Sequence, residues 1–165
     1  MIILVGWILL QTPAIEAVRE GSLDLYPYYR ISSLFENYPF WESHNWTEQA
    51  QAKNVQVTFH GVFLQSKALV WLQENNQYEW KTAFKSMQLA NLYGTGDPKE
   101  EQVEVCLVFE VEPDQSFAVR GGYMVFHGPK DRTVKLADKA VLEWIKATYR
   151  KRDPFAALIF GLPYE

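Results

Sequence analysis

The stretch Val103-Glu104-Val105-Cys106-Leu107-Val108-Phe109-Glu110-Val111 decides the fold. Val103, Val105, Leu107, Phe109 and Val111 fall on one side of a period-2 ladder, and Glu104, Cys106, Glu110 and the following Glu112 fall on the other. Alternation this strict reads as a half-buried strand. Downstream, Pro113-Asp114-Gln115 makes a tight connection into a second strand, Ser116 to His127, and Gly121-Gly122 within it marks a bulge. Thr133 then reads as the N-cap of a helix from Val134 to about Arg150. Val134, Ala137, Val141, Leu142, Ile145 and Tyr149 form its buried stripe, with Lys135, Lys139, Glu143 and Lys146 outside.

Upstream, two further strands run from Trp46 to Ala52 and from Val55 to Leu64, joined at Lys53-Asn54. Val55, Val57, Phe59 and Phe63 share one face of the second. Ile31, Leu34, Phe35 and Tyr38 recur at helical spacing until Pro39 stops the helix, and Phe40 and Trp41 follow as core anchors. Lys67 to Tyr93 is rich in helix formers, with Trp80, Phe84 and Met87 suited to one helix face. Trp80-Thr82-Phe84 also alternates, so helix and strand both stand there until the loop at Gly94-Thr95-Gly96-Asp97-Pro98. The expected fold is α+β: an antiparallel β-sheet of about four strands with helices packed on one face, preceded by an apolar N-terminal helix.

The chain has 165 residues, enough for one domain with its own core. Six Trp, nine Tyr and ten Phe favour a well-filled core and an adhesive surface. A net charge of −4 argues against a nucleic-acid binder, which presents a basic field. The single cysteine, Cys106, excludes an intramolecular disulfide and is neutral on compartment. Asn45-Trp46-Thr47 matches a glycosylation sequon, a triplet common by chance.

Residues 1–17 read as an apolar leader or membrane anchor, 18–152 as a single α+β domain, and 153–165 as an apolar C-terminal tail. The run Ile2 to Leu10 is too short to span a bilayer, which takes roughly 20 apolar residues. Gln11, Thr12 and Pro13 interrupt its extension, and no Lys or Arg precedes it as in a secretory signal. Anchor, cleaved signal and buried helix therefore compete, with the anchor favoured. The tail Phe155-Ala156-Ala157-Leu158-Ile159-Phe160 must bury itself on its own domain or on a partner. Before it, Lys146, Arg150, Lys151 and Arg152 complement a helix C-terminus and suit anionic headgroups.

Val18, Gly21, Leu23, Tyr26-Pro27, Ile31, Phe35, Tyr38 and Trp46 follow the pattern Val-x-x-Gly-x-Leu-x-x-Tyr-Pro, a short helix and a Trp that opens a hairpin. With Val57-Thr58-Phe59-His60-Gly61, Val108-Phe109-Glu110-Val111 and Ser116-Phe117-Ala118-Val119, the chain resembles a group of small bacterial lipoproteins and single-span envelope proteins of uncharacterised function. The resemblance covers most of Val18 to Tyr149 and departs from the pattern at Ser66 to Glu101. It implies a small α+β fold in the bacterial cell envelope, inner-membrane anchored or periplasmic, and brings no catalytic residues with it.

No constellation for chemistry stands out. His44, His60 and His127 with Cys106 are residue types that bind zinc, but no pair has close ligand spacing. Cys106 lies mid-strand with no basic sequence neighbour to activate it, and reads as a structural thiol. Glu100-Glu101 and the acids alternating along Glu104 to Glu112 read as solvated faces. Gly94-Thr95-Gly96 and Gly121-Gly122 lack the context of a phosphate loop. The sequence thus assigns no catalytic, cofactor or metal residue.

The expected function is that of a non-enzymatic envelope protein. It would reach the membrane through its N-terminal segment and act by protein–protein interaction, as a subunit of a larger assembly. Ile3, Trp7, Leu10, Phe155, Leu158 and Phe160 are the expected contact residues. The alternatives are a small-ligand binder or hydrolase with a sheet-face pocket containing His60, Glu104, Glu110 or His127, and an inhibitor or immunity-type protein presenting an aromatic patch.

Overall fold

A computed structural model describes residues 12–39, 41–64, 102–127 and 131–149. The leader residues Ile3, Trp7 and Leu10, the tail residues Phe155, Leu158 and Phe160, Phe40, and the stretch 66–98 lie outside the described residues.

The chain folds as α+β around a five-stranded antiparallel sheet in the order β3-β4-β5-β6-β7. These strands are Ser43–Ala50 (β3), Val55–Leu64 (β4), Gln102–Val111 (β5), Phe117–His127 (β6) and Arg132–Lys135 (β7). A small hairpin of Ser22–Leu23 (β1) and Tyr26–Arg30 (β2) forms a second sheet. Among the described residues the helices are Pro13–Glu20 (α1), Ile31–Phe35 (α2) and Asp138–Tyr149 (α3).

The alternation in β5 has the consequence its sequence implies. Val103, Val105, Leu107 and Phe109 are fully buried, and Val111 nearly so. Val57 and Phe59 on β4 and Met124 on β6 continue this face across the sheet. Against it pack Ile15 and Val18 of α1, Ile31, Leu34 and Phe35 of α2, and Ala140, Val141, Trp144 and Ile145 of α3, in one cluster. Aromatic rings fill the centre: Trp41 lies 5.7 Å from Phe59 and 5.3 Å from Trp144, and Phe35 lies 5.3 Å from Phe59. Offset and tilted arrangements of this kind suit the ring quadrupoles.

α1 crosses the boundary expected at residue 17. Thr12 caps it by accepting from the Ile15 amide at 3.4 Å, with Pro13 in the first turn, and Ile15 is buried in the core. Among the described residues no helix is long and apolar enough to cross a membrane.

Two expectations need correction. The sheet has a fifth strand, because Arg132 to Lys135 pairs with β6 instead of opening a helix. Thr133 is therefore a strand residue opposite Val125, and not an N-cap. The β-branched pair Thr133-Val134 is at home on a pleated surface, and pairing satisfies backbone groups that β6 would otherwise leave open. The helix begins later, where the Ala137 carbonyl accepts from Ala140 and Val141. Its buried stripe is accordingly Ala140, Val141, Trp144, Ile145 and Thr148, whereas Leu142 is 41 % exposed and Ala137 is exposed.

The expected bulge is present. Val108 pairs with Gly121 and Phe109 with Val119, which leaves Arg120 as the extra residue. The turn before it closes with the Glu112 amide donating to the Ser116 carbonyl at 2.8 Å, and Gln115 takes a positive φ of 67°.

One ion pair ties the helices to the sheet. Arg19 of α1 donates to both carboxylate oxygens of Glu36, at 2.6 and 3.1 Å, and the Trp46 indole on β3 donates to Oε1 at 2.9 Å. Burial works against charge on Glu36, but the hydrogen bonds from Arg19 and Trp46 and the nearby positive charge outweigh it. The carboxyl is held below its usual range. A folded-state pKa below the unfolded value near 4.5 means that this stability is present above that pH and lost as pH falls through the folded pKa. Glu36→Gln is expected to lower stability at neutral pH by about 1–2 kcal/mol, a figure discounted for partial exposure. It should also flatten the acid limb of the stability curve below pH 4.5 in urea melts. Parallel acid limbs for the two proteins would disprove the linkage.

Candidate functional sites on the outer sheet face and the tyrosine hairpin

The face of the central sheet opposite the core carries a polar cluster whose members are far apart in sequence. His60 on β4 pairs directly with Cys106 on β5, and Cys106 with Tyr123 on β6, so the three form a row across adjacent strands. Glu104 lies two residues before Cys106 and so on the same face. His127 ends β6 beside it.

The geometry converges on one nitrogen. His60 Nδ1 contacts Glu104 Oε1, and Cys106 Sγ lies 3.4 Å from each of those two atoms. The other imidazole nitrogen, Nε2, is 2.8 Å from the Thr47 hydroxyl on β3. Glu104 is anchored from its other side, with Oε2 3.1 Å from His127 Nε2, and His127 Nδ1 is 3.3 Å from Asp131. Cys106 is fully buried, while the side chains of His60 and Glu104 are 17 % and 19 % exposed.

The electrostatics follow from burial and hydrogen bonding. Burial opposes the Glu104 charge, yet hydrogen bonds with His60, Cys106 and His127 pull the carboxyl below its usual range. Burial, reinforced by the Glu104 charge, pushes the Cys106 thiol up to about 12. Burial and the contact with Cys106 raise Tyr123 to about 12 as well. A nucleophilic cysteine needs a depressed pKa, and a catalytic triad places nucleophile and acid on different imidazole nitrogens. Here thiol and carboxylate approach the same nitrogen. The three ligand atoms lie within 4.8 Å of one another, so among the described residues His60, Glu104 and Cys106 are a group that could hold a metal ion.

The remaining sequence candidates lie elsewhere. His44 sits on the edge strand, its ring stacked 6.1 Å from Phe59. Glu110 pairs with Arg120 and accepts from Asn54. A groove of about 350 Å³ opens beside the bulge, lined by Val119, Arg120, Gly121, Asp138, Val141 and Leu142. None of His60, Glu104, Glu110 or His127 lines it.

A second surface was missed by sequence reasoning. Tyr26 stacks on Tyr149 at 4.0 Å, and Tyr29 meets the same ring edge-on at 4.9 Å. This fixes the β1–β2 hairpin against the end of α3 and presents Leu25, Tyr28 and Tyr29 outward, with Tyr28 93 % exposed. The signal was available in Tyr26-Pro27-Tyr28-Tyr29, where three tyrosines in so short a strand cannot all face inward. No family model, curated protein or solved structure matches the chain.

Proposed function

We propose that the protein is a non-enzymatic envelope protein, anchored in or exported across a membrane, that works by binding a protein partner through its tyrosine hairpin. The observation that carries this reading is the exposure of Leu25, Tyr28 and Tyr29 together on one hairpin braced by Tyr149. Tyrosine supplies large contact area with little conformational freedom to lose and is enriched where proteins meet. The apolar run Ile2 to Leu10 and the envelope-like pattern from Val18 to Trp46 support the location.

The test joins fractionation to capture. The full chain is expected in the membrane fraction, and deletion of residues 1–13 should release it. A photo-crosslinker at position 28 should trap a single protein species. Tyr28→Ser should abolish capture while changing stability by no more than about 0.5 kcal/mol, as exposed positions do. Recovery of a soluble monomer from both forms, with no crosslink, would overturn the reading.

A further inference from the structure

We infer that His60, Glu104 and Cys106 form a binding site for a zinc-class transition-metal ion on the face of the sheet opposite the core, with solvent at the fourth position. The donor set is the first reason. An imidazole, a carboxylate and a thiol together suit zinc and its neighbours, whereas calcium and magnesium take mostly oxygen ligands.

The spacing is the second reason. Tetrahedral zinc, with Zn–S near 2.3 Å and Zn–N or Zn–O near 2.0–2.2 Å, places sulfur about 3.5 Å from each light ligand. Sγ of Cys106 lies 3.4 Å from both His60 Nδ1 and Glu104 Oε1. The His60–Glu104 contact is closer because it is a hydrogen bond, and an entering ion would displace its proton and that of the Cys106 thiol to solvent and spread the pair.

The surroundings are the third. In the metal-bound state the imidazole would carry its proton on Nε2 and donate it to the Thr47 hydroxyl, 2.8 Å away, leaving the Nδ1 lone pair for the ion. His127, itself oriented by Asp131, holds the free oxygen of Glu104. Partners of this kind fix the tautomer and direction of metal ligands. The ligands also stand on β4 and β5, which are flanked by strands on both sides, so the backbone beneath the site is held by two hydrogen-bond ladders.

The test uses tag-free full-length protein, stripped with chelator and titrated with Co²⁺ and Zn²⁺. Co²⁺ should give visible d–d bands of tetrahedral coordination and a near-ultraviolet thiolate charge-transfer band. Zn²⁺ should displace it at one equivalent, and Mg²⁺ and Ca²⁺ should not. Cys106→Ser should remove the charge-transfer band and, like His60→Gln, weaken Zn²⁺ binding about 100-fold, while Thr47→Val and His127→Ala weaken it about 10-fold. The wild-type spectrum stands as a test even where a variant fails to fold. A Co²⁺ complex without thiolate charge transfer, or Zn²⁺ affinity unchanged in Cys106→Ser, would overturn the assignment.

Discussion

Trp144→Ala is expected to lower the stability of the fold by about 3–5 kcal/mol, the range for deleting a large aromatic from a core. That corresponds to a fall in Tm of roughly 10–20 °C. Trp144 is 2 % exposed and is the largest of the deeply buried side chains. Its ring meets Phe35 at 5.9 Å, Trp41 at 5.3 Å and Tyr38 at 6.5 Å, so it is the point where α2, the segment after it and α3 join over the sheet. Three rigid rings around one deleted ring cannot collapse into the space, and the cavity term is then near its maximum. The indole N–H is buried without a hydrogen-bond partner among the described residues. Trp144→Phe removes that desolvated donor along with part of the ring, and the two effects oppose each other. The phenylalanine variant should therefore lose less than about 1.5 kcal/mol. Urea melts of the two variants check this. Equal losses for Ala and Phe would show that the indole N–H has a partner whose loss matters.

That Trp144 escaped the sequence reading has a specific cause. Taking Thr133 as an N-cap fixed the phase of the helix on Val134, and the stripe that follows takes in Leu142 and leaves Trp144 out. Val141 and Ile145 survive because they lie within both stripes. The strand at Arg132–Lys135 is short, and its pairing with β6 is a tertiary fact with no strong local signal. By contrast, β5 was legible residue by residue, because a period of two allows only one inward set.

The polar cluster was half legible for the same reason. Alternation alone put His60 opposite Phe59, and Glu104 and Cys106 opposite Val105 and Leu107, so each side chain was on the outer face. What sequence did not supply was the register that sets His60 beside Cys106 across 46 positions. Ligand spacing counted along the chain misses donors that come from neighbouring strands. The tyrosine hairpin was obscured differently: its residues entered only as part of a pattern, and the stacking on Tyr149 turns them into a surface.

Gly122→Val is expected to be a severely damaging change on the sheet, at or above the upper end of the roughly 1–3 kcal/mol typical of overpacking. A Cβ at Gly122 would lie 2.8 Å from the Cys106 carbonyl oxygen, 3.2 Å from Leu107 Cδ2 and 3.3 Å from Leu136 Cδ1. The first of these is backbone of the adjacent strand and has no rotamer by which to yield. β5 and β6 must separate at Cys106 itself, and Leu136, whose amide donates to the Gly122 carbonyl at 2.9 Å, must shift too. The neighbouring glycine provides the contrast. Gly121 has φ of +151° and nothing within 4 Å of an added Cβ, so Gly121→Ala meets conformational strain without a clash. It should cost about 1–2 kcal/mol. The two changes also differ in reach. Gly122→Val moves the backbone that carries the thiol, so in any population that still folds it should weaken Zn²⁺ binding along with stability. Gly121→Ala should leave the ion site as it was. Chemical denaturation alongside Co²⁺ spectra separates the cases, and a Gly122→Val protein with unchanged Co²⁺ charge transfer would place the thiol outside the ion's coordination.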